Sequence, residues 1–206
     1  GLAGPAVTLE RGNGHTIIER NHIVDCAQGL AVGLHQTSIA GQRTHDDVTC
    51  ETASHVDDFA TIARNNVISA VGESISMTSS KFEAGIALWA ACKAKVVHNT
   101  VFSTTAPFSS IEWRFSGTVD GSVTNNLVSH NLRERAGADA VTIANLEQAD
   151  ALLFVDAEQG DFHLDPQMLG AIDEGAESPE GLADTDVDGD MRLGAGTPDI
   201  GADEAL

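Results

Sequence analysis

Glu112 and Arg114 stand two positions apart in the run Ser110-Ile111-Glu112-Trp113-Arg114-Phe115. In an extended segment, residues i and i+2 point to the same side. If Ile111, Trp113 and Phe115 face a core, Glu112 and Arg114 share the outer face. There a guanidinium can act as a base or clamp a carboxylate through parallel N–H groups, and a carboxyl can act as an acid or ligate a metal. The alternative is a same-face surface ion pair, worth under about 1 kcal/mol. His130, Arg133 and Arg135 follow one strand later and can join that face; the chain has only 11 basic residues, so this grouping concentrates them. Trp89 alternates with Leu88 and faces outward, where an indole can stack on a sugar ring or lie beneath a neighbouring loop. Arg114, Glu112 and His130 are thus the candidate catalytic residues, and Trp89, Arg133 and Arg135 the candidate substrate contacts.

A second set of carboxylates lies near the C-terminus. Asp184, Asp186, Asp188 and Gly189 match the first half of a calcium loop, but Ala195 occupies the twelfth position, where a bidentate Glu belongs. These residues are read as a calcium site or a structural turn. Residues 35–58 hold His35, His45 and His55 with Asp46, Asp47, Asp57 and Asp58 at spacings that match no metal-ligand motif, and 36–58 is expected to be a solvated loop insertion. Lys93, Lys95 and His98 are expected at the surface of a turn.

The elements that must position these groups follow from composition and pattern. The chain has 206 residues, 42% of them apolar, which suffices for a core. Aromatics are 4% and Tyr is absent, so that core must come mainly from Val, Ile, Leu and Ala. The formal net charge of −20 opposes nucleic-acid binding, and it would repel an acidic polymer unless cations bridged the two. No apolar run reaches the roughly 20 residues that span a bilayer. The three cysteines form no CxxC pair. They allow one disulfide plus one free thiol, with Cys50–Cys92 the favoured pair. Cys26 matches Ala70 in the next run and is read as a small buried residue.

Four segments share one pattern of a β-rich run, an Asn, one variable residue and a second β-rich run: Thr16–Val24, Thr61–Ile68, Lys95–Phe102 and Ser122–Val128. Taking Asn21, Asn65, Asn99 and Asn125 as the corner residues, the separations are 44, 34 and 26 positions (65 less 21, 99 less 65, 125 less 99). The first is read as two turns of 22 residues. Asn tolerates the left-handed backbone of a sharp corner, and stacked Asn side chains hydrogen-bond from turn to turn. A second column is read in Gly29–Leu34, Ser74–Met77, Gly85–Ala90, Ser110–Phe115 and Ala140–Ala144. Alternation there turns Leu30, Val32, Ile75, Met77, Ile86, Leu88, Ile111, Trp113, Phe115, Val141 and Ile143 inward. The fold class is all-β: a right-handed single-stranded parallel β-helix of six to eight turns over 1–165, with an irregular capping tail over 166–206 that closes its end. Val7-Thr8-Leu9 already reads as strand, so missing turns or a partner are expected to cover the N-terminal end.

The tail segments Gly160–Leu164, Ala171–Gly175, Asp184–Arg192 and Asp199–Glu204, with Ser110–Phe115 and Asn125–Val128, resemble the C-terminal part of bacterial secreted parallel β-helix repeat proteins of the pectate-lyase-like superfamily. The resemblance implies a secreted or cell-surface location. It also implies a structural turn over 184–190, with Arg192 pairing against the carboxylates. Sugar polymers bind such folds along an exposed strand face, which is where Glu112 and Arg114 lie. The expectation is a carbohydrate-interacting β-helix, lyase-like on an acidic polysaccharide; the alternative is a non-catalytic adhesive or structural module.

Overall fold

The computed structural model describes residues 4–12, 14–34, 44–50, 55–72, 75, 81–192 and 196–205. Their regular structure is nearly all strand, and the chain visits three parallel sheets in rotation. β1 (Pro5–Leu9) lies in the first sheet, β2 (Ile17–Glu19) in the second and β3 (His22–Val24) in the third. β4 (Gln28–Val32) returns to the first sheet beside β1. After a short strand β5 (Asp58–Phe59), β6 (Ile62–Arg64) and β7 (Val67–Ala70) join the second and third sheets. β8 (Ala84–Trp89), β9 (Ala91–Cys92), β10 (Lys95–Val97) and β11 (Thr100–Ser103) repeat the path, with β9 pairing β5. β12 (Ser109–Arg114), β13 (Gly121–Thr124) and β14 (Leu127–Val128) make the next round, and β15 (Leu132–Arg135) and β16 (Ala140–Ile143) end the series.

Like residues stack on like. Leu30, Ile86, Ile111 and Leu132 are register partners through the first sheet, as are Val32, Leu88 and Trp113. They meet Ile18, Ile23, Ala63, Ile68, Val96, Val101, Val123 and Val128 in one core. Strands of two to six residues, most of them buried on at least one face, suit short Val/Ile/Leu runs. Two inward assignments fail. β16 pairs with β13 of the second sheet, so Val141 and Ile143 belong to another column and are exposed. Ile75 is buried but helical. β4 pairs directly with β8; Ser74, Ser76 and Met77 lie outside the described residues.

The Asn ladder exists, with Asn21 and Asn99 where spacing put them and the other two rungs one residue on, at Asn66 and Asn126. Asn21, Asn66, Asn99, Asn126 and Asn145 form it, each donating its backbone N–H or side-chain amide to the next residue's Oδ1 at 2.8–3.2 Å. The left-handed corner residue is the one before: Arg20, Asn65, His98, Asn125 and Ala144, with φ between 48° and 55°. Asn65 and Asn125 are therefore corners, not rungs. β2 pairs β6 directly, so the first interval is one round with an insertion rather than two turns of 22. Among the described residues the first and second sheets have five strands each, where six to eight turns were expected. The disulfide is Cys50–Cys92; Cys26 is a half-buried free thiol.

The C-terminal segment packs along the flank of the stack, where the sequence suggested a plug for its end. β17 (Phe154–Asp156) and β18 (Asp161–Leu164) form an antiparallel pair. Phe154 and Phe162 pack with Phe102, and Ala171, Val187, Ile200 and Ala202 cover Val67 and Leu127 on the outside of the third sheet. Arg192 anchors this covering: it pairs with Glu204 at 3.0 Å and donates to the Gly201 and Ala202 carbonyls and to Asn65 Oδ1.

Candidate functional site

The outer face of the first sheet carries a cleft of about 300 Å³, lined by Gln28, Glu83, Ala84, Trp89, Phe108, Glu112, Arg114 and Arg135. Register explains the grouping. Trp89, Arg114 and Arg135 are partners on β8, β12 and β15, while Ala87, Glu112 and Arg133 form the row two residues earlier. Outward alternation and parallel pairing thus place an indole, three guanidiniums and a carboxylate on neighbouring strands.

Glu112 faces outward yet is only 2% exposed. Its Oε1 accepts from Trp89 Nε1 at 2.6 Å, its Oε2 from Ser109 Oγ at 3.0 Å, and both from Arg135 Nη1 at 3.1 and 2.9 Å. The expected Glu112–Arg114 surface pair does not form; the partner is Arg135, across the strands. A carboxylate so fully bonded serves as a strut among its neighbours. Arg114 lies 4.4 Å from the Phe115 ring centre and 5.5 Å from that of Trp89, and its Nε has no hydrogen-bond partner among the described residues. Arg133 and Arg135 lie 4.2 and 4.4 Å from the Phe108 ring centre, and Phe108 is 48% exposed. Cation–π contact holds the guanidinium planes against the rings.

Four of the six residues expected on this face, Trp89, Glu112, Arg114 and Arg135, line the cleft, and Arg133 packs on Phe108 beside them. His130 does not line the cleft: its Nδ1 lies 2.9 Å from Ser129 Oγ and 3.4 Å from Ser103 Oγ, beyond the third sheet, and partial burial lowers its pKa. Phe108, Ser109, Gln28 and Glu83 escaped the sequence reading. Phe108 and Glu83 flank strands, and Gln28 and Ser109 are the first residues of β4 and β12, where alternation is not yet set; only the aromatic in Pro107-Phe108 offered a signal.

The acidic triplet does not converge on one point. Asp184 Oδ1 accepts the Gly181 amide. Asp186 is buried and caps a turn through the amides of Asp188, Gly189 and Asp190. Asp188 turns to His163 Nε2 at 2.9 Å, and the Arg192 ion pair is with Glu204. His163 is instead the centre of a carboxylate group: the hydrogen bond to Asp161, with a further one to Asp188, raises its pKa to about 9 against partial desolvation.

Near the insertion, His55, Asp57 and Asp58 are buried rather than solvated, and Asp57 Oδ2 accepts the Arg11 and Leu34 amides. His35 lies outside the described residues. His98, expected at the surface, is fully buried beneath the tail. Burial, with the nearby Arg192 charge, lowers its pKa to about 3, and Asn125 Nδ2 lies 2.9 Å from its Nε2. Among the described residues no helix is long and apolar enough to cross a membrane. No protein-family model matches the chain, and neither a curated protein nor a solved structure matches it.

Proposed function

We propose that the chain is a right-handed parallel β-helix of the pectate-lyase-like type that binds an acidic polysaccharide along the outer face of its first sheet. The rotation of strands through three parallel sheets and the Asn ladder support the solenoid, and crossover connections between parallel strands are right-handed almost without exception. The Cys50–Cys92 disulfide supports a secreted or surface location, since such bonds persist in oxidising compartments.

One observation carries the ligand assignment: Arg114 and Arg135 meet Trp89 and Phe108 at one cleft, with Arg133 packed on Phe108, on a chain with net charge −20. Guanidiniums recognise carboxylates or sulfates in fork geometry, and the exposed ring of Phe108 offers an apolar face to a sugar. The reading is of binding without bond cleavage, because Glu112 spends its hydrogen-bonding capacity on its neighbours. The test is calorimetric titration with a uronate polymer and a neutral glucan, each with and without calcium. The uronate polymer binds, binding weakens with salt, and Arg114→Ala costs about tenfold or more in affinity. Equal binding of both polymers overturns the acidic preference. Accumulation of unsaturated product would replace binding by lyase chemistry.

A further inference from the structure

β18 carries a second constellation, distinct from the cleft. Its alternation buries Phe162 and Leu164 and turns Asp161 and His163 outward together. Asp161 Oδ1 takes His163 Nδ1 at 2.5 Å and the His163 backbone N–H at 3.2 Å. The ring is therefore held by one nitrogen, and the other, Nε2, points to Asp188 Oδ2 at 2.9 Å. Asp203 completes the group: one ligand atom from each of His163, Asp188 and Asp203 lies within 4.8 Å of the others. Asp188 is set by the turn that Asp186 caps, and Asp203 by the Leu164 amide on its Oδ2 at 2.7 Å.

Asp203 leaves an oxygen to offer. It is 6% exposed, and its second carboxylate oxygen has no hydrogen-bond donor among the described residues. That oxygen is not sealed off among the buried atoms, so an ion can reach it. The three residues line a pocket of about 330 Å³ together with Asp190 and Glu204, so an ion and its water have a way in.

We propose that His163 Nε2, Asp188 and Asp203 bind one zinc ion, with Asp161 as the carboxylate that orients the imidazole. One imidazole and two carboxylates suit zinc better than calcium or magnesium, which take all-oxygen shells. Ligands about 2.1 Å from the ion would leave its fourth position to water. A carboxylate on the far nitrogen of a ligating histidine fixes its tautomer and raises its basicity. The ion replaces the proton between Nε2 and Asp188 Oδ2, and that proton leaves to solvent. Bound there, it ties β18 to residues 25 and 40 positions further on (188 and 203 less 163). The other such grouping among the described residues, His15, His45 and Asp47, is less suited, because His45 Nδ1 already accepts the Asp47 amide at 3.1 Å.

The experiment is a calorimetric titration of the chelator-treated full chain with zinc chloride, beside a cobalt(II) titration followed by visible absorption. One ion binds per chain, excess calcium does not displace it, and cobalt gives the intense bands of a four-coordinate site. Asp161→Asn weakens zinc about 10–100-fold, His163→Ala abolishes the site, and His45→Ala and Glu158→Gln leave it intact. The inference is overturned if the unaltered chain binds no stoichiometric zinc, if cobalt gives only weak six-coordinate bands, or if His45→Ala removes binding while His163→Ala keeps it. The cobalt spectrum is read on the unaltered chain, so it decides the matter even if a tail variant fails to fold.

Discussion

Trp89 on β8 and Glu112 on β12 are joined by a 2.6 Å hydrogen bond from the indole Nε1 to the carboxylate Oε1. Arg135, 23 positions beyond Glu112, closes on the same carboxylate from the next strand. The outer face of the first sheet is thus tied across three strands through one buried acid. Glu112→Ala would leave the indole and the guanidinium without their acceptor, and removing one partner of a buried charged network is strongly destabilising. The expected loss is about 2–4 kcal/mol, measured by urea unfolding. Glu112→Gln keeps one acceptor and loses less. A variant as stable as the parent would remove the strut.

Asn99 is a middle rung of the ladder. Its Oδ1 accepts the Asn66 amide groups, and its own amide reaches Asn126 Oδ1 and the Ala63 carbonyl. In Asn99→Ala these buried groups lose their partners at once, at about 1–3 kcal/mol per unsatisfied group. We expect about 3 kcal/mol or more. Asn21→Ala, at the half-exposed first rung, costs less; equal losses at both would argue against a cooperative ladder.

His98 makes stability depend on pH in a definite direction. Burial holds its folded-state pKa near 3, against about 6.5 when unfolded. Below pH 6.5 the unfolded chain takes up a proton that the folded chain refuses, so stability falls as pH drops from 6.5 toward 3. Between pH 6.5 and 4.5 this amounts to about 2–3 kcal/mol. His98→Asn places at this corner the residue found at corners 65 and 125, with the same left-handed backbone. It should remove that part of the acid sensitivity, read as the change in urea midpoint with pH relative to the parent. Unchanged pH dependence would mean that His98 takes up its proton as readily in the fold as in the unfolded chain.

The Cys50–Cys92 disulfide closes a span of 42 positions. By loop-closure entropy its removal costs about 4 kcal/mol. Cys50→Ser with Cys92→Ser should lower the unfolding midpoint accordingly, and a reductant should do the same to the parent alone. A reductant effect that persists in the double variant would point to another thiol reaction.

Much of the face chemistry was legible because it is local. Alternation alone turned Glu112, Arg114, Trp89, Arg133 and Arg135 to one side, and parallel register did the rest. What escaped was burial. Glu112 is enclosed by Trp89 and Arg135, each 23 positions away on opposite sides, a distance no local pattern covers. The ladder slipped by one residue because Asn65-Asn66 and Asn125-Asn126 offer two asparagines in succession. One suits the left-handed corner and the other the rung, and both are the same residue type.

The sequence by itself determined the all-β character, the parallel strand columns, most of the inward residues and the candidate cleft. These follow from period-two alternation and from Asn at corners, which act over a few residues. Only the tertiary structure decided where the C-terminal segment lies, and with it the burial of His98, the Arg192–Glu204 pair and the gathering of His163, Asp188 and Asp203. Those contacts join segments 12 to 127 positions apart. They depend on which apolar patch of the stack the tail covers, and that choice is made by packing area rather than by any repeat in the chain.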